Sequence, residues 1–222
     1  MQDRRKLRSE ASAGDHLDYG FDEEKMHFIT HFIGVLFILF FGHFLWSSSQ
    51  PYFGLRVGIG IYLVTFFMVF FASSLYHHQY FKDHKRQLRK IDHIAIYFFI
   101  AGSNTPYLLG YTKSVGGTIF LVLMWSLVIF GTVIKWREIN IPDWISLIYY
   151  LFMGWLGVFT MYLIFHEIKA STIMLIVLGG VLYSVGAYFY KHDRIKWYHS
   201  IWHVFVLCAA FSHFAAIYLQ IL

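Results

Sequence analysis

Seven long apolar stretches, each about the length a helix needs to cross a bilayer, decide what this chain can fold into. A spanning helix takes roughly 20 apolar residues to cover about 30 Å of hydrocarbon. The stretches run approximately over 27–46, 55–76, 92–109, 118–135, 144–165, 172–190 and 199–222. Short segments carrying the breakers and charges divide them: SSSQP before Tyr52, KDHKRQLRK from Lys82, GYTK at Gly110, REINIP from Arg137, HEIK at His166 and KHDRIK from Lys191. The expected architecture is an all-α integral membrane protein, with a tail over 1–26 and seven transmembrane helices over 27–222. Composition agrees, because only 14% of the residues are charged where soluble domains carry about 25%. So few polar groups cannot cover a water-soluble globule. Disorder, collagen and coiled coil are excluded with it. The polar first 25 residues predict no cleavable signal peptide, so the first apolar stretch itself inserts.

Loop charge sets the expected orientation. Fifteen of the 18 Lys and Arg lie in the tail and in the second, fourth and sixth loops, while Arg56, Lys113 and Lys169 lie on the other side. The positive-inside rule puts the N-terminus in the cytoplasm and, after seven spans, the C-terminus outside. The same split accounts for the net charge of +5, so nucleic-acid binding is discarded. The single cysteine, Cys208, excludes an internal disulfide and any CxxC motif.

Ionisable residues inside spans are costly and by default functional, and this chain has 13 histidines. HSIWH sets His199 and His203 at i and i+4 on one helical face, about 6 Å apart along the axis, a spacing that suits two imidazoles on one metal ion. ASSLYHHQY offers the same spacing twice, as Ser73/His77 and as Ser74/His78, and spacing alone does not choose between them. IDHIAIY puts Asp92 in the first turn of the third span. With the topology above, His77, Asp92, His199 and His203 share one depth near the cytoplasmic interface, and Ser73 lies one turn deeper. Three imidazoles with an open fourth position make a catalytic-type zinc site. Asp92 would orient or deprotonate a water there, and Ser73 would hydrogen-bond a ligand or a substrate carbonyl. The bland alternatives are interfacial anchors, helix-end partners and a proton-carrying ring. His27-x-x-x-His31 repeats the HxxxH spacing in the first span and is set aside as a decoy.

The segments ASSLYH, DHIAIYFFIAGSNTPYLL and HSIWHVFVLCAAFSHFAAIYL resemble the three signature segments of the hemolysin III family. That family is the bacterial branch of the progestin and adipoQ receptors, related to the alkaline ceramidases. EEKMHFITHFIG, MGWL at Met153 and GGVLYSVG at Gly179 carry the resemblance over nearly the whole chain. It implies a seven-helix protein of the bacterial cytoplasmic membrane with zinc in its cytoplasmic half. It selects Ser73/His77, and it implies His77, His199 and His203 as ligands with Asp92 beside them. AGSNTP departs from the family's common AGTYTP. Glu23, Glu24, His31 and His213 match family positions without an assigned role, and His31 and His213 are expected three or more turns from the metal plane. The functional expectation is a zinc-dependent hydrolase of lipid amide or ester bonds, with Asp92 and Ser73 catalytic and membrane lipids as partners. A non-enzymatic regulator of lipid homeostasis with structural zinc is the alternative, and a pore-forming haemolysin ranks last.

Overall fold

The computed structural model describes residues 19–49, 52–139 and 141–222, so most of the tail, with Arg4, Arg5, Lys6 and Arg8, lies outside the described residues. Each apolar stretch becomes one helix: α1 Phe21–Ser48, α2 Phe53–His77, α3 Lys85–Tyr111, α4 Val115–Trp136, α5 Asp143–Leu163, α6 Ala170–Lys191 and α7 Tyr198–Ile221. No strand occurs among the described residues. Six of the seven are long and apolar enough to cross a membrane. The exception is α3, which starts on Lys85, Arg86, Arg89 and Lys90 and carries Ser103-Asn104-Thr105-Pro106 further along.

Two helix starts differ from the sequence expectation, and both bear on the site. α1 begins at Phe21 rather than near His27, because Asp22, Glu23 and Glu24 in its first turn complement the positive N-terminal end of a helix. α3 begins at Lys85, seven residues before Asp92, because Lys, Arg, Gln and Leu are good helix formers. The basic segment expected as loop is therefore partly helix, joined to α2 by a short 3₁₀ turn over Gln79–His84.

Helix contacts close a ring in the order α1, α2, α3, α5, α6, α7, with α4 outside against α3 and α5. The α2–α3 and α6–α7 interfaces are the most extensive, and the α5–α6 contact is sparse. Gly58 permits the first of these close approaches. A Cβ there would sit 2.6 Å from the Pro106 Cα, which is backbone and cannot swing away. Pro106 stands inside α3, and the polar groups before it are satisfied locally. Ser103 donates to the Phe99 carbonyl (2.7 Å), Thr105 to that of Ala101 (2.8 Å), and the Asn104 amide to that of Ile100 (2.9 Å). Asn104 Oδ1 then accepts from Thr160 on α5 at 3.0 Å, so the AGSNTP variation ties α3 to α5. The ring encloses one cavity, lined by residues of every helix except α4.

Candidate metal centre

At the end of the ring where α2 finishes and α7 starts, five imidazoles from three helices meet. His77 ends α2, His199 and His203 occupy the first two turns of α7, and His27 and His31 stand on the inner face of α1. His27 packs against three of the others, its ring centroid 4.6 Å from that of His77, 4.7 Å from His199 and 4.9 Å from His203. His77 and His203 are 4.9 Å apart and His199 and His203 4.8 Å. One nitrogen each from His27, His77 and His199 lies within 4.8 Å of the other two.

The expected residues are therefore close together, but the convergent trio includes a histidine that the sequence reading set aside. His27 contributes to the cluster, and His203 sits beside it. His31 is also nearer than expected, with its ring 3.9 Å from that of His203 instead of three turns away. The reason is the early start of α1, whose first turns stand below the start of α7 and bring His27 and His31 level with it. Glu24, His27 and His31 fall at i, i+3 and i+7, one face of a helix, and all three are buried. A polar stripe on an apolar spanning helix must face the bundle interior, and that signal was available in the sequence.

Hydrogen bonds around the cluster set its tautomers. Glu24 Oε2 lies 2.7 Å from His77 Nδ1, and a carboxylate only accepts, so Nδ1 carries the proton and Nε2 keeps its lone pair. Lys85 holds the other Glu24 oxygen. The Tyr19 hydroxyl donates to Asp193 (3.2 Å) and lies 2.8 Å from His199 Nδ1. Having given its one proton to Asp193, it accepts from Nδ1–H and leaves His199 Nε2 as the basic nitrogen. Burial, then the Asp193 carboxylate, raises the Tyr19 pKa above the ordinary phenol value, which keeps that proton in place. Glu23 secures the start of α7 by accepting from the Trp197 backbone N–H at 2.7 Å, where Trp197 takes the left-handed conformation at φ 70°.

These features fit a metal ion. Both nitrogens of His27, Nε2 of His77 and Nδ1 of His203 are buried without a hydrogen-bond partner, a costly state for so many polar atoms. Imidazoles oriented by a carboxylate on the far nitrogen are the usual form of a metal-ligating histidine. Ser73 and Asp92 face the same cavity as His199 and His203. His77 is buried while His78, which caps α2, is exposed. Ser74 turns away from the cavity to donate to the Phe70 carbonyl at 2.7 Å. His213 lies ten residues along α7 from His203, about 15 Å, well away from the cluster.

A family model described as Haemolysin-III related matches residues 19–214. Hemolysin-3 homolog of Bacillus subtilis (strain 168) is 37% identical over 83% of this chain and 88% of its own length. Hemolysin-3 of Bacillus cereus is 31% identical over 83% and 85%. The human Monocyte to macrophage differentiation factor is 29% identical over 73% and 70%. The matched span runs from Tyr19, through the α1 stripe and every residue of the histidine cluster, into the last turns of α7. This chain therefore belongs to the Haemolysin-III related family.

Proposed function

We propose that this protein is a seven-span zinc protein of the bacterial cytoplasmic membrane that hydrolyses an amide or ester bond in a lipid. In this reading α3 is the seventh span, the N-terminus is cytoplasmic, and His77, His199 and His203 hold the ion. One observation carries it: the cavity that reaches His199 and His203 also presents Ser73 and Asp92 and then continues between apolar walls. Trp155, Val158 and Val177 line that cavity and are also exposed, which supports a lateral entrance at the sparse α5–α6 contact. His77, His199 and His203 would hold the zinc ion, which would supply Lewis acidity and lower the pKa of a nearby water. Asp92 would take the proton of the water that attacks the acyl carbon and deliver it to the amine or alcohol released as the acyl bond breaks. Ser73 would direct its hydroxyl to the substrate carbonyl oxygen as negative charge gathers there.

His27 favours the second reading, a regulator built on structural zinc. A fourth imidazole beside His77 and His199 would fill the position that hydrolysis needs open. Purified, zinc-loaded protein in micelles with N-acyl and O-acyl lipids separates the two. Release of free fatty acid that depends on Asp92 supports the hydrolase. No release from either class, with an unchanged lipid profile in a deletion strain, defeats it.

A further inference from the structure

Beyond the histidine cluster the same cavity runs into a second set of polar groups that the proposed chemistry does not use. Tyr62 on α2, Tyr107 on α3, Tyr183 on α6 and His213 on α7 each bury a polar atom with no hydrogen-bond partner in the protein: three phenol hydroxyls and the His213 Nε2. Tyr107, Tyr183 and His213 line the cavity. Tyr62 stands behind the cavity wall, its ring centroid 6.1 Å from that of Phe99, and the Tyr183 and His213 ring centroids are 5.8 Å apart. Gly179 lets α6 close on this point, since a Cβ there would meet the His213 ring at 2.2 Å. Buried hydroxyls are normally bonded to protein or to ordered water, and the unbonded groups of Tyr107, Tyr183 and His213 share one cavity from three helices.

The set stands well away from the metal cluster. Tyr62 is eleven residues along α2 from Ser73, about 16 Å, and His213 is about 15 Å from His203. Between the two sets the walls carry Phe99, Met161, Ile176 and Val206, and the polar groups there, Ser103 and the Asn104 amide, already donate to the Phe99 and Ile100 carbonyls. A string of waters would be poorly held there, whereas a hydrocarbon chain fits. Two phenol hydroxyls and an imidazole nitrogen, with no carboxylate or ammonium among them, suit an uncharged oxygen rather than an ionic headgroup.

We propose that Tyr107, Tyr183 and His213 form a second ligand site that binds a hydroxyl or carbonyl oxygen partway along a lipid chain whose polar end lies by Ser73 and Asp92. The site selects oxygenated acyl chains over plain ones. It does not depend on any reaction at the histidine cluster, or on zinc.

Binding of stearate and of a mid-chain hydroxystearate to the purified full chain in micelles tests this, with and without a zinc chelator. The parent protein should prefer the hydroxystearate by about tenfold, in both conditions. Tyr107→Phe, Tyr183→Phe and His213→Leu should each reduce the preference to about twofold or less and leave stearate affinity nearly unchanged. Both tyrosine variants should also be at least as thermally stable as the parent, because an unbonded hydroxyl is removed from a buried slot. Equal affinities in the parent, a preference that survives the variants, or a lower Tm for both tyrosine variants without ligand would overturn the proposal. Loss of the preference only after chelation would overturn its independence from zinc. Failure of lipid hydrolysis alone leaves the site standing.

Discussion

α3 and α4 are neighbours of similar length that use opposite strategies. α4 buries one narrow stripe, Gly117, Phe120, Met124, Val128 and Gly131, and presents Ile119, Val122, Ile129, Phe130 and Val133 outward. It is apolar almost all round, and its polar ties are few: the Ser114 hydroxyl accepts from the Gly117 N–H at 3.0 Å, Trp125 Nε1 donates to the Thr105 hydroxyl at 3.3 Å, and the Leu127 carbonyl accepts from the Tyr149 hydroxyl at 2.9 Å. α3 alone fails the test of a spanning helix. It nevertheless buries the Ala101–Leu108 run on every side and brings Asp92, Ser103, Asn104 and Tyr107 to the cavity. In a bilayer, apolarity marks contact with lipid and polarity marks contact with the interior. The helix that looks least like a span is the one that brings Asp92 to the cavity beside the histidines of α1, α2 and α7.

The sharpest way to break this contrast is to strip the interior. His199→Ala/His203→Ala should take zinc from about one ion per chain to none and remove lipid hydrolysis, as read by elemental analysis and fatty-acid release. Ile129→Ala on the outward face of α4 should change neither. Full zinc in the double variant would refute the ligand assignment. His27→Ala sharpens the result: retained zinc with higher hydrolysis marks His27 as a competitor for the open position, and lost zinc marks it as a required ligand.

Asp92→Asn on α3 is next in size. General acid–base help is typically worth about 100- to 10,000-fold, and hydrolysis should fall within that range. Zinc should remain bound, with affinity reduced by no more than the 10- to 100-fold typical of a lost supporting contact. A zinc-loaded, folded Asp92→Asn protein with full activity would remove Asp92 from the reaction and favour the regulator.

The packing behind α3 gives a smaller effect. Gly58→Ala drives a methyl against the Pro106 backbone and should destabilise by about 1–3 kcal/mol, measured as unfolding in detergent. Gly154→Ala on α5 meets nothing within 4 Å and should stabilise by up to about 1 kcal/mol, since Gly costs helix stability. Equal effects at the two positions would mean that α2 and α3 are not in the close contact described.

How much of this was legible depended on which physical rule each residue obeyed. Apolar length located all seven helices, and the i, i+4 pairs with Asp92 brought His77, His199, His203 and Ser73 to one end of the bundle. His27 was missed because a lone HxxxH was weighed by spacing, when the face it shares with Glu24 on an apolar helix was the better signal. Tyr19 could not be read, because its contact with His199 depends on how the chain enters α1, and no periodicity reports that. Nothing in the sequence sets Tyr62, Tyr107 and Tyr183 apart from the other tyrosines of apolar helices. Only the absence of partners for their hydroxyls distinguishes them, and that is a property of the fold.

The smallest effect lies where the two helices are tied together outside the bundle. Glu138, just after α4, pairs with Lys90 at 2.5 Å and also with Arg86, both on α3. The hydrogen bonds from Lys90 and Arg86 hold its carboxyl below the ordinary glutamate value. A carboxyl lowered on folding adds stability that is fully present above its unfolded value, about 4.3, and is lost as pH falls through the folded value. The Tm of the parent should therefore exceed that of Glu138→Gln slightly near neutral pH, and the two should converge once pH falls below the folded value. Because the pair is exposed, raising salt toward 1 M, where the Debye length is about 3 Å, should close the same gap at neutral pH. A gap that ignores both pH and salt would refute the ion-pair account.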